Sequence, residues 1–147
     1  MLLLIRWLII HLMMILSNHM ALEFYQHIGK LFYALTAADN AIREEEFALF
    51  NALINDRWIL STGIKTEDTA SSILQIKNTF KRLQNLNSNA NSCFNECLIY
   101  INTNKTLFSP KLKALILNTA QQLASIVANK NKSELIMLAK LELCFKS

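Results

Sequence analysis

The chain has 147 residues, 52% hydrophobic and 18% charged, with two Gly and one Pro. That is the length of one ordinary domain, with too little turn chemistry for a β-sandwich or a Gly-rich phosphate loop and too much apolar content for disorder. The net charge of +4 is lopsided, at +1 over residues 1–19, −3 over 20–63 and +6 over 64–147, but the lysines stand singly, without an Arg cluster or interleaved aromatics, and nucleic-acid binding is not expected.

Residues 2–16 read LLLIRWLIIHLMMIL, an apolar run of 15 with Arg6 and His11 inside it. A spanning helix needs about 20 apolar residues, so the run is short and interrupted. No small-x-small cleavage site follows it, and no charge precedes it, which argues against a secretory signal. Two readings stand. Residues 1–19 are a membrane-associating helix, or they are a start-site extension and Met20 opens the native chain. The second is favoured, because Met20-Ala21-Leu22-Glu23 leads directly into a regular helix. The division expected is therefore an apolar segment 1–19 and a helical domain 20–147. Membrane association follows only if residues 1–19 belong to the protein, and this segment inflates the mean hydropathy of +0.24.

The rest parses as six helices. Helix one, about 22–38, carries Phe24, Ile28, Leu31, Phe32 and Leu35 at spacings of three and four. Helix two, about 43–58, has Phe47, Phe50, Ile54 and Trp58 on one stripe. Thr66 is positioned to cap helix three, about 67–86, whose seam is Ile73, Ile76, Phe80 and Leu83. The polar stretch NLNSNANS at 85–92 reads as a loop with caps. Helix four, about 92–102, buries Phe94, Leu98 and Ile101. Ser109-Pro110 is the clearest start signal, because the Ser hydroxyl can accept from an orphan N–H and Pro in the first helical position loses nothing. Helix five then runs through Leu112, Leu115, Ile116, Leu123 and Ile126. Asn131-Lys132-Ser133-Glu134 has the layout of a capping box, and helix six, about 132–146, is assigned a seam of Leu135, Leu138, Ala139 and Leu143. No strand-period segment competes. The fold class is all-α, a compact bundle of about six helices with short connections, so successive helices should pack mostly antiparallel.

The chemistry is concentrated in residues 37–46, AADNAIREEE, between helices one and two. Asp39 ends helix one, Asn40 suits the left-handed position of a tight exit, and Ile42 points back into the core. Glu44, Glu45 and Glu46 occupy the first turn of helix two. Asp39 with these three glutamates forms a candidate site for a hard divalent cation, calcium or magnesium, which take carboxylate and carbonyl oxygens. A simpler reading stands beside it. First-turn acids complement the positive end of a helix, and Glu46, three residues past Arg43, can reach back as a cap. The twelve-residue EF-hand pattern is absent.

His27 is read as half-buried or at the surface. Cys93, Cys97 and Cys144 are read as small core residues, and with three Cys and no C-x-x-C pair a reducing, cytoplasmic compartment is expected. No nucleophile–base–acid set or paired catalytic carboxylates are visible, so the expected class is non-catalytic, with a protein partner. A small enzyme would need an apolar pocket with convergent polar groups.

Phe24-Tyr25-Gln26-His27-Ile28-Gly29-Lys30-Leu31-Phe32-Tyr33-Ala34, followed by Ala37-Ala38-Asp39-Asn40-Ala41-Ile42-Arg43-Glu44-Glu45-Glu46, resembles the TerB-like family, named for a tellurite-resistance protein and including the N-terminal domain of some membrane-anchored J-domain co-chaperones. The family motif is roughly A-x-A-D-G-x-I-x-x-x-E-E. The match falls on Asp39, Ile42, Glu45 and Glu46, with Asn40 where the family has Gly. The resemblance implies an all-helical bundle of two related helix–loop–helix halves, each with an acidic loop, in stress-response or membrane-proximal assemblies. The second loop would be Ala124–Glu134, with Asn129 and one acid, Glu134. Lys130 and Lys132 would repel a cation there, so this second site reads as degenerate and Glu134 as a helix cap.

Overall fold

A computed structural model describes residues 1–39, 42–62, 67–125 and 132–147, with residues 57–62 and 67–70 described by backbone alone. Among the described residues there are six α-helices and no strand: α1 (Leu2–Thr36), α2 (Glu44–Thr62), α3 (Glu67–Asn85), α4 (Ala90–Thr103), α5 (Pro110–Ser125) and α6 (Lys132–Lys146), with 3-10 turns at Ala37–Asp39 and Lys105–Leu107. The all-α expectation holds. Several expected features lie outside the described residues: the Asn40 helix exit, the Thr66 cap, Ile126 of helix five, and Asn129 and Asn131 of the second loop. The Trp58 side chain lies outside them too.

The bundle is up-and-down, as the short connections require. Contacts along α1 give the direction of its neighbours. On α4, Tyr100 stacks on His27 at 3.8 Å, Glu96 pairs with Lys30 at 2.6 Å, and the Ser88 carbonyl just before the helix accepts from the Tyr33 hydroxyl at 2.6 Å. Thus α4 runs antiparallel to α1. On α3, Phe80 meets Tyr33 edge-on at 5.8 Å, and the Ile76–Thr79 backbone passes Gly29, so α3 runs parallel to α1. Gly29 permits that approach, because a Cβ there would stand 2.5 Å from the Ile76 carbonyl oxygen. The core is centred on Phe32, Phe50 and Phe80, all fully buried, with Phe50 and Phe80 stacked at 4.1 Å.

Local signals explain the element ends. Ser109 Oγ accepts from the Leu112 N–H at 3.2 Å, with Pro110 opening α5. Asn89 Oδ1 accepts from the Ser92 N–H at 2.9 Å and starts α4 two residues earlier than expected. At the end of α3, Asn87 takes φ 50°, the Ser88 N–H reaches the Leu83 carbonyl and the Asn87 N–H reaches that of Gln84. This is the left-handed helix stop that Asn accommodates best after Gly.

Two expectations are corrected. Helix one does not begin near residue 22. It is continuous from Leu2, because Ser17-Asn18-His19-Met20 contains no Gly or Pro to interrupt it. Its outer part, through Glu23, is exposed, and its inner part is buried from Ile28 to Thr36 except for half-buried Lys30. The second correction concerns α6. Its buried face is Glu134, Met137, Leu141 and Phe145, whereas Leu135, Ala139 and Leu143 of the assigned seam are exposed and Leu138 is half-buried. Apolar residues surround α6 on most sides, so spacing alone could not choose between faces. Packing selected the one whose Phe145 meets Phe108 at 5.9 Å.

Candidate metal centre

The antiparallel order gives the bundle two ends. One, where α1 passes into the 3-10 turn Ala37–Asp39, gathers the start of α2, the end of α5 and the start of α6. There one carboxylate oxygen each from Asp39, Glu46 and Glu134 lies within 4.8 Å of the other two. Asp39 comes from the 3-10 turn, Glu46 from the first turn of α2 and Glu134 from the first turn of α6.

Glu46 is 3% exposed and Glu134 4%. The Arg43 N–H donates to Glu46 Oε2 at 3.0 Å, so the simpler reading of this residue as a cap is correct for one of its oxygens. The other, Oε1, is buried and has no hydrogen-bond partner among the described residues, and the same holds for Glu134 Oε2. Beside them is a cavity of about 10 Å³, bordered by Leu35, Thr36, Ala120, Leu123, Ala124 and Leu138. The one hydroxyl on this border, that of Thr36, donates to the Phe32 carbonyl at 2.7 Å and so is committed elsewhere. Buried polar atoms are normally paired, and two orphaned carboxylate oxygens beside one cavity are costly unless something positive fills it.

Electrostatics reflect the crowding. Burial first, and then the charges of Asp39 and Glu46, push the Glu134 carboxyl up to about 7. Glu46 is also raised, chiefly by burial. The Arg43 N–H and its guanidinium pull it down, and Asp39 and Glu45 push it up.

Of the four sequence candidates, Asp39 and Glu46 converge. Glu44 and Glu45 are exposed on the first turn of α2 and fall outside the cluster. At 3.6 residues per turn, Glu46 faces the core, and its two predecessors are rotated toward solvent. The residue that sequence reasoning missed as a ligand is Glu134. The pseudo-repeat places Glu134 in a second acidic loop, where the neighbouring lysines argue against a cation. Lys132 is exposed, two residues away on a different face, and Lys130 lies outside the described residues. Glu134 joins the cluster of the first loop, and residues 126–131 of the expected second loop lie outside the described residues.

The other candidates behave as structural residues. Ile42 packs against the core. Half-buried His27 lies over Tyr100, with its Nδ1 2.8 Å from the Glu23 carbonyl. Cys93 and Cys97 are buried, Cys144 is half-buried, and burial pushes all three thiols up. Comparisons with protein-family models, curated proteins and solved structures find no match to the chain.

Proposed function

We propose that the chain is a non-catalytic, TerB-like interaction module that holds a calcium or magnesium ion between Asp39, Glu46 and Glu134 and presents the loaded end of the bundle to a protein partner on the cytoplasmic side. One observation carries the reading: buried carboxylates from two helices far apart in sequence each keep an unpartnered oxygen, and both residues line the same small cavity. All the donors are oxygens, which suits a hard cation. Calcium ligands stand about 2.3–2.6 Å from the ion, so oxygens up to about 5 Å apart can share one. In this reading the ion fastens the starts of α2 and α6 to the end of α1, and the partner reads that fastened end.

Thermal melts in calcium, magnesium, zinc and manganese test it. At a hundredfold excess over the dissociation constant, binding adds about 2.7 kcal/mol, or roughly 5–10 °C for a domain of this size. Calcium or magnesium should give that rise, and Asp39→Ala should abolish it. An equal response of wild type and variant would overturn the site.

A second reading concerns where the module sits. Leu2–Leu22 is helical and its large apolar side chains are exposed on every side of the helix. A helix made to pair with another would confine its apolar residues to one stripe, whereas a helix apolar all round suits lipid. At 1.5 Å per residue its 21 residues reach about 31 Å, against a hydrocarbon core of about 30 Å. Helix continuity adds length through Ser17-Asn18-His19 to Leu22, and an 18-residue window of this helix keeps a mean hydropathy of 1.6 with none of it buried. We infer a membrane tether. Native chains should contain residues 2–22 by mass spectrometry and stay with membranes through alkaline extraction. A native start at Met20 or Ala21 would defeat it.

A further inference from the structure

We propose that the end of the bundle from which α1 emerges docks on the anionic lipid headgroups of the bilayer holding Leu2–Leu22, an inference that rests on the tether reading. Phe24, at the exit point, meets Phe108 at 5.5 Å, and Phe108 meets Phe145 at 5.9 Å. These contacts bring the Lys105–Leu107 turn, the start of α5 and the end of α6 to the place where α1 enters lipid. Four lysines come with them. Exposed Lys105 and half-buried Lys113 both act on the Cys144 thiol, and Lys113 Nζ donates to the Phe145 carbonyl at 3.0 Å. Exposed Lys111 lies in the first turn of α5 and exposed Lys146 in the last turn of α6.

Glu23 opposes them from α1, and half-buried Glu142 stands one turn before Lys146 on α6. The large acidic group of the molecule, Asp39 with Glu44, Glu45, Glu46 and Glu134, is at the other end of the bundle. The domain is therefore polarised along the axis of α1, with its positive end toward the bilayer. Leu107, 36% exposed, sits among the lysines, and Phe24 and Tyr25 occupy the level where aromatic side chains favour the membrane interface. A headgroup surface within a Debye length of about 8 Å of these lysines attracts them, and each lysine near an anionic leaflet favours docking roughly fivefold.

The test uses the full chain in nanodiscs of phosphatidylcholine alone and of phosphatidylcholine with phosphatidylserine. Backbone hydrogen exchange is read over residues 104–109. Incorporation into both discs is expected, with exchange at least about fivefold slower in the anionic ones. The difference should vanish in high salt and in the combined variant Lys105→Gln, Lys111→Gln, Lys146→Gln, which should still incorporate. Incorporation into both discs with equal exchange overturns headgroup docking and leaves the tether standing. Failure to enter neutral discs overturns the tether. Binding to anionic discs alone, with slowed exchange at 104–109, would keep the basic docking face while removing the anchor beneath it.

Discussion

The two ends of the bundle treat charge in opposite ways. At the acidic end, carboxylates are drawn inward: Glu46 and Glu134 are almost fully buried, and each keeps an oxygen without a partner. At the basic end, Lys105, Lys111 and Lys146 stand in solvent. Buried charge is costly, so a buried carboxylate either takes up a proton or holds a counter-charge. Exposed lysines cost little and act at a distance. In the readings proposed above, the first end holds something small and the second meets something broad. The two are joined by α6, which carries Glu134 in its first turn and ends at Lys146.

That connection can be broken directly. Leu141 is fully buried midway along α6, and Leu141→Ala should cost about 2–5 kcal/mol in chemical denaturation. Because α6 carries Glu134, the cation-induced rise in melting temperature should shrink in the same variant. A full rise would mean that the acidic end forms independently of α6 packing.

A smaller effect sharpens the contrast through pH. The folded Glu134 carboxyl, at about 7, lies above its ordinary 4.5. The native state therefore holds a proton that the unfolded chain releases. That contribution is complete below about pH 4.5 and is lost as pH rises through 7, by an amount on the order of 3 kcal/mol. Without divalent cation, stability should fall between pH 5 and pH 8, with Glu46 contributing in the same direction. Glu134→Gln should flatten most of that fall, and saturating calcium should flatten it in the wild type by favouring the ionised form. A pH profile identical in the variant would show that Glu134 is not the group responsible.

The smallest effect belongs to the other end. Lys105→Gln and Lys146→Gln should each change stability by less than about 0.5 kcal/mol, as exposed substitutions generally do. A larger loss measured by denaturation would show that these lysines hold the fold rather than face a surface.

Much of the fold was legible along the chain. The seam of α3 is buried as its spacing predicts, Ser109-Pro110 opens α5, and Asn residues start or stop helices where their side chains favour it. Each of these signals depends on residues three or four apart, so local sequence contains the whole interaction. The face of α6 was not legible, because a helix apolar on most sides offers spacing no contrast to read. Half of the candidate site was legible as well. Asp39 and Glu46 flank one short loop, and the reach of Glu46 back to Arg43 follows from an interval of three.

By itself, then, the sequence determined that the chain is helical, where most helices begin, and that acid collects after the first domain helix. Only the tertiary structure decided that Glu134, nearly ninety residues beyond Glu46, completes that acidic group while Glu44 and Glu45 do not. It also decided that four of the scattered lysines, Lys105, Lys111, Lys113 and Lys146, gather beside the exit of α1. The physical reason is shared. Convergence across helices depends on which face each one turns inward, and that choice is made by the packing of the whole core.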